Sequence, residues 1–340
     1  MTAWNVLREF AENTLNSEKM NLGEAIPEEN ILFVPILKKE LPKEERDYLT
    51  INEALNENVL KIVDKGTEIT HLIVTNEADL PVLIEEGEIF EGQGTQDRIV
   101  VGSVVIQPKT TVEIPVKCVH APHPLATNAG FRAFAKGGRS MLRSMRGMKS
   151  EAAHYSRSVA GISQSQVWKN VTEQTATENV GDSAKYKEAM EQRLKRATKR
   201  KIKFPDNTIG FFAISEAGKL VAMEIHRTPR AFKRREAYML TSVEKEIKEG
   251  VKPAPKAQAS KKSREVLQEL ASIDEKQVQS QIEVDGLLLN LSGKMQGEFV
   301  SSKFYSAVCP ECGANKPRIA KCECGYEEEA DDEFLYASFG

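Results

Sequence analysis

"TVEIPVKC", residues 111–118, alternates Val112, Ile114, Val116 and Cys118 with outward Glu113 and Lys117. A period of two marks a half-buried strand, so Cys118 reads as a core thiol. Working outward, "HLIVTN" (71–76), "PVLIEEG" (81–87) and "RIVVGSVVIQP" (98–108) read as further strands, with "NEADLP", "EGQGTQ" and "PKTT" as their turns. "TINEAL" (50–55) reads as a short helix entered through Thr50 or Asn52. Residues 31–125 are therefore expected to form a β-rich, sandwich-like region. It is preceded over 1–30 by a helix with Trp4, Leu7 and Phe10 on one face.

The texture changes at 126. Residues 127–161 are rich in Gly, Ser and Arg and read as a long loop ending in helix. "GDSAKYKEAMEQRLKRATKRKIKFP" (181–205) reads as a helix that turns densely basic before Pro205. "TIGFFAISEAGKLVAMEIH" (208–226) reads as a hairpin about Glu216, Ala217 and Gly218. A helix follows over 228–250, with Thr228 as N-cap, Pro229 as first residue and Gly250 as stop. The expected division is a basic α/β region over 126–250, a linker over 251–262, a helix and strand segment over 263–304, a zinc ribbon over 305–327 and a solvated acidic tail over 328–340. The fold class is α+β.

The ribbon rests on "CPECGANKPRIAKCECG" (309–325). Cys309, Cys312, Cys322 and Cys324 are four thiolates at a spacing that suits tetrahedral Zn²⁺, and the Gly after each pair lets the chain turn back toward the sulfurs. The second pair is C-x-C rather than C-x-x-C. With all four positions filled by protein the metal is structural, and the body is expected not to need it. Cys118, His120 and His123 form C-x-H-x-x-H, a candidate second metal site set against a plain core thiol.

The formal net charge of −3 hides an asymmetry: residues 131–235 hold 23 Lys or Arg against 9 Asp or Glu. Such a split points to a polyanionic partner, or to the acidic flanks of the same chain or of a second copy. No apolar run approaches the ~20 residues that span a bilayer, and the opening helix carries acids, unlike a signal peptide. The expected setting is cytoplasmic, with no membrane partner.

Several stretches together resemble one prokaryotic family: "YLTINEAL", "LIVTNEADLPVLIEEGEIFEGQGTQDRIV", "SVVIQPKTTVEIPVKCV", "SQSQVWKNV" and "IGFFAISEAGKLVAMEIHRTPRAF", in that order. The family is the ARG and Rhodanese-Phosphatase-superfamily-associated Protein domain, where ARG denotes ADP-ribosylglycohydrolase. The resemblance covers about residues 31–248. It implies an association with ADP-ribose-processing and phosphatase proteins, and it marks Gly87, Glu88, Gly92, Gln96, Arg98, Gln164, Ser165 and Trp168. Asp97 stands where the family suggests Asn.

Candidate ligand-binding residues are accordingly Glu88, Glu91, Gln96, Asp97, Arg98, Gln164 and Trp168. Carboxylates beside an Arg and flexible glycine amides suit a ribose and a phosphate, and equally a salt-bridged hairpin loop. Candidate anion-binding residues are Arg227, Thr228, Arg230 and Lys233 at a helix N-terminus, where cations are disfavoured unless an anion is present, with Lys195, Arg196, Lys199 and Arg200 on the preceding helix. Three readings follow: a zinc-containing protein docking on a polyanion such as RNA or the ribosome, an enzyme or sensor for an ADP-ribose-like nucleotide, and a self-assembling homo-oligomer.

Overall fold

The computed structural model describes residues 3–40, 48–66, 68–119, 130–153, 161–176, 186–281, 283–291, 295–303, 309, 311–314, 322–327 and 332–340. Helix α1 (Ala3–Leu15) leads into β1 (Met20–Leu22), β2 (Ile26–Glu28) and β3 (Ile31–Lys38). Then come β4 (Leu49–Thr50), α2 (Ile51–Asn56), β5 (Leu60–Lys65), β6 (Glu68–Asn76), β7 (Val82–Ile84), β8 (Glu88–Gly92), β9 (Arg98–Val100), β10 (Val104–Ile106) and β11 (Thr111–Cys118). The middle is β12 (Phe131–Lys136), α3 (Arg139–Ala153), α4 (Gln164–Ala176), α5 (Tyr186–Lys199), β13 (Thr208–Ile214), β14 (Leu220–His226) and α6 (Pro229–Val243). The last part is α7 (Lys256–Ala271), β15 (Val278–Gln279), β16 (Leu287–Asn290), β17 (Gln296–Lys303) and β18 (Asp332–Phe339).

The α+β expectation holds. "ILFVPIL" is apolar without alternation because β3 is covered on both faces, which removes any reason for polar residues to alternate. One face meets α1 and α7, where Leu7, Phe10, Leu267 and Leu270 pack on Leu32, Val34, Phe212 and Ile225. The other meets α5 and α6, through Ala197, Phe232 and Met239 against Phe33 and Phe211. The sheet between them runs β1-β3-β13-β14-β18-β17-β16-β15, with β2 also paired to β3. A second sheet, β12-β8-β9-β11-β6-β5, and a short third, β10-β7-β4, enclose their own core of Ile62, Val74, Ile84, Phe90, Val100, Ile106 and Val116. That pair is the expected sandwich, and Cys118 is buried in it. His120 and His123 lie outside the described residues, as does the whole of 120–129.

Four expectations are corrected. Within 127–161 the helix is present as α3, but Phe131–Lys136, expected as loop, form β12, and the stretch conceals four fully buried cations. Arg139, Arg146 and Lys149 recur at helical spacing, so the charge that suggested solvent is one interior face. The linker at 251–262 ends at Pro255, because α7 starts with Lys256 and buries Ala259; its Ala and Lys are helix formers rather than spacers. The acidic tail does not stay in solvent. Residues 332–339 form β18, inserted between β14 and β17, with Leu335, Tyr336, Ala337 and Phe339 buried. The acidic run that leads into it masks a strand whose hydrophobic residues begin at its third position, Phe334. The helix begun at Pro229 also stops early, passing at Glu244–Glu246 into a 3-10 turn. The expected hairpin is present, with Gly218 supplying the positive φ of +70 that its turn requires.

Removing residues 332–340 is therefore expected to lower the melting temperature by several degrees or more, since it takes out an interior strand. A solvated tail would leave the melting temperature unchanged.

Candidate functional site

The chain's most unusual feature is a buried charged centre where the sandwich meets the large sheet. Five carboxylates (Glu85, Glu86, Glu88, Glu224, Glu298) and five cations (Lys136, Arg139, Arg146, Lys149, Arg235) lie there, none more than 1% exposed. Each element delivers its share for a local reason. Glu85 and Glu86 follow the apolar strand β7 directly; Glu224 interrupts "LVAMEIH" in β14; Arg235 stands one turn past Arg230 and Ala231 on α6.

Two hubs organise the centre. In the first, Lys136 Nζ donates to Glu85 Oε2 and Glu224 Oε2, each at 3.0 Å. Tyr336 Oη donates to Glu224 Oε2 at 2.9 Å and Ser338 Oγ to Glu224 Oε1 at 3.0 Å, while Arg139 pairs with Glu224. Arg235 donates through Nε to Glu85 Oε1 at 2.6 Å and also pairs with Glu88. In the second, Arg146 Nε and Lys149 Nζ hold the two oxygens of Glu86 at 2.8 and 2.6 Å, and Ser103 Oγ donates to Glu298 at 2.6 Å. Ser338 joins the hubs, accepting from Arg139 and from Arg146.

Burial alone would neutralise such groups, and the pairing decides which stay charged. Burial opposes ionisation of Glu85, Glu86 and Glu224, but the cations outweigh it: Arg235 and Lys136 for Glu85, Arg146 and Lys149 for Glu86, Lys136 and Arg139 for Glu224. All three carboxyls are held below their usual range. Glu88 differs, since burial pushes its carboxyl up to about 7, and its Arg235 contact is partly cancelled by neighbouring Glu85. Burial and Glu86 raise Glu298 as well.

A pocket of about 240 Å³ opens beside this centre, between α2 and α6. Asn52, Glu53, Asn56 and Glu57 form one wall, and Arg230 and Arg234 the other. The α2 wall is fixed by a capping box, in which Thr50 N donates to Glu53 Oε2 at 2.9 Å. The α6 wall starts at Thr228, which caps by accepting from Ala231 N at 3.2 Å. Arg230 pairs with Glu53 and donates to the Tyr48 carbonyl at 2.6 Å. Arg234 is 65% exposed, with Nε 3.7 Å from Glu53. At the back, Asn52 Oδ1 accepts from Arg235, whose other nitrogens reach Glu85 and Glu88. One residue pair thus separates the solvent-facing pocket from the buried centre.

The stretches lining both, "YLTINEAL", "LIEEGEIF" and "MEIHRTPRAF", fall inside a match between residues 19–300 and the family model described as ARG and Rhodanese-Phosphatase-superfamily-associated Protein domain. The chain belongs to this family. No curated protein matches the chain, and no solved structure does. The family match covers the pocket and every charged member of the centre, and it ends in β17, before the cysteines and before β18 with Tyr336 and Ser338.

None of the residues within the family region that were expected to bind ligand lines this pocket. Glu88 belongs to the buried centre. Glu91 pairs with Arg132 and Lys187. Asp97 Oδ1 accepts from Gly92 N at 3.0 Å and closes the β8–β9 loop. Arg98 is buried, donating to the Gln96 carbonyl at 2.6 Å with Asp64 at 3.4 Å. Gln164 clamps the Cys118 backbone, donating to its carbonyl at 2.7 Å and accepting from its amide at 3.0 Å, and Trp168 lies one turn on along α4. Of the anion candidates only Arg230 lines the pocket. Lys233 pairs with Glu236 at 2.8 Å, and Arg227 borders a separate groove with Phe10 and Phe334. Arg196 and Arg200 both pair with Glu244, and Arg200 also reaches Glu28 at 2.7 Å. Lys195 and Lys199 are exposed. Much of the positive surplus over 131–235 is thus matched by acids of the same chain.

Sequence reading missed Glu85, Glu86, Lys136, Arg139, Arg146, Lys149, Glu224, Arg235, Glu298 and Tyr336. The available signal was Glu224 interrupting the apolar run of β14, together with the helical spacing of the α3 cations.

The four C-terminal cysteines come together. Their sulfurs lie within 4.8 Å of one another, with Cys309 to Cys324 at 3.7 Å and Cys312 to Cys322 at 3.5 Å. A tetrahedron with metal–sulfur bonds of about 2.3 Å has sulfurs about 3.8 Å apart, so the set fits a metal ion. Gly313 (φ +70) and Gly325 (φ +95) turn each half back, donating to the Cys309 and Cys322 carbonyls at 2.9 Å. Among the described residues no helix is long and apolar enough to cross a membrane.

The Glu88 shift carries a pH signature. Below about 4.5 the carboxyl is protonated in both states. Between there and about 7 the unfolded chain loses the proton while the folded one retains it, so stability falls across this window. Glu88→Gln keeps an acceptor for Arg235 and is expected to flatten that fall in urea unfolding measured from pH 5 to 8.

Proposed function

We propose that the protein is a zinc-containing binding protein for a small anionic ligand of the ribose-phosphate kind, typified by ADP-ribose, held in the pocket between α2 and α6. The observation that carries this reading is the pairing there of a loosely held, exposed guanidinium with amides and carboxylates. Arg234 can meet a phosphate bidentately, and Arg230, held by Glu53 and the Tyr48 carbonyl, adds positive charge beside it. Asn52, Asn56, Glu53 and Glu57 supply donors and acceptors for ribose hydroxyls. The family's named association with ADP-ribosylglycohydrolase points the same way.

Binding is favoured over catalysis because Glu88, whose carboxyl burial pushes up to about 7, is sealed behind Arg235 and Asn52. Docking on RNA or the ribosome has weaker support, since many of the middle region's cations are matched internally, which reduces the charge available to displace counterions. The thiolate set favours zinc through its softness and tetrahedral spacing.

Calorimetric titration with ADP-ribose tests the ligand. Arg234→Glu, at an exposed position, is expected to weaken binding tenfold or more, about 1.4 kcal/mol, with the melting temperature unchanged. Absence of ADP-ribose binding, or equal binding by the variant, refutes the reading. Salt-sensitive RNA binding that Arg234→Glu leaves intact would favour the polyanion alternative.

A further inference from the structure

We propose that a metal ion held by Cys309, Cys312, Cys322 and Cys324 latches β18 into the large sheet, so that metal loading closes the buried charged centre. The inference rests on the zinc part of the reading above and not on the ligand.

The cysteines are not an appendage. β17 and β18 are antiparallel neighbours whose pairing runs from Gly297 with Phe339 to Lys303 with Asp332. Residues 304–331 are thus the connection of a hairpin, and all four cysteines lie in it. A hairpin needs only a two-residue turn, whereas this connection has about 28 residues, and an open loop of that length opposes strand pairing entropically. Four thiolates on one ion tie Cys309 to Cys324 and leave about a dozen residues, 304–308 and 325–331, outside the tie. By the three-halves power of loop length, this raises the closing probability about three- to fourfold.

What the latch holds is not a peripheral strand. β18 lies between β14 and β17 and brings Tyr336 and Ser338, two of the hydrogen-bond donors to Glu224. It also brings the Phe339 carbonyl that accepts from Arg139 at 3.1 Å, and the Ser338 hydroxyl that accepts from Arg146 at 2.9 Å. When β18 leaves, a buried carboxylate and two buried guanidiniums lose partners together. The strand is therefore either fully seated or fully released, and a small bias in loop closure moves its population without partial states.

Hydrogen exchange on the full chain tests this, comparing zinc-loaded protein with protein stripped by a strong chelator. Peptides covering 334–340 are expected to exchange at least threefold faster after stripping, while peptides from β13 stay unchanged. A variant with 304–331 replaced by Asn-Gly supplies the control: β18 should be protected with or without chelator, because the turn itself closes the hairpin. Three results would each overturn the proposal. One is a purified chain that binds no metal by elemental analysis, which also removes the zinc reading. Another is a metal-loaded chain whose β18 exchange ignores the chelator, which leaves the zinc reading standing. The last is an Asn-Gly variant whose β18 is unprotected.

Discussion

Glu224 sets the terms for the rest of the molecule. Its carboxylate lies fully buried in an interior strand, and its two oxygens are satisfied by groups from three other elements: Lys136 from β12, Arg139 from α3, and Tyr336 and Ser338 from β18. An ion withdrawn from water without such partners costs several kcal/mol. The sandwich, the basic middle and the last strand must all arrive for that cost to be met. Lys136 then shares Glu85 with Arg235, which extends the same constraint to α6 and, through Asn52, to the pocket. A network of this kind adds little net stability compared with an apolar core, but it strongly penalises any other way of assembling the sheets.

The constraint also explains the division of charge along the chain. A middle region rich in Lys and Arg within a chain of net charge −3 is what a fold needs when helices from one segment close over carboxylates from others. α3 faces Glu86, which follows β7, and α5 faces Glu244, which follows α6. The surplus is a record of internal pairing before it is a statement about partners.

Much of the sandwich was legible because Val112, Ile114 and Val116 alternate with solvent-facing residues, and burial on one face leaves that trace. Thr228, Pro229 and Gly218 were legible because capping and positive φ each demand particular residues. Lys136, Arg139 and Arg146 were not, because a buried cation is identical in sequence to an exposed one until its partner is known, and these partners lie roughly 50 to 200 positions away. β18 was hidden for a related reason: its acidic approach resembles a solvated tail, and its place in the sheet is set by neighbours distant in sequence. The four cysteines were the opposite case, since all the ligands of that site lie within one short stretch. The pocket was half legible: Arg230 stood out at its helix end, but Asn52 and Asn56 carry meaning only once α2 is set against α6.

The claim that the buried centre governs assembly is tested most directly by a double-mutant cycle on Arg139 and Glu224, whose pairing joins α3 to β14. Arg139→Met and Glu224→Gln, measured by urea unfolding at neutral pH, are each expected to cost about 3 kcal/mol by leaving a buried charge without its partner. The double variant is expected to cost at least about 2 kcal/mol less than the sum of the two. Strictly additive losses, or single variants as stable as the parent chain, would contradict the account.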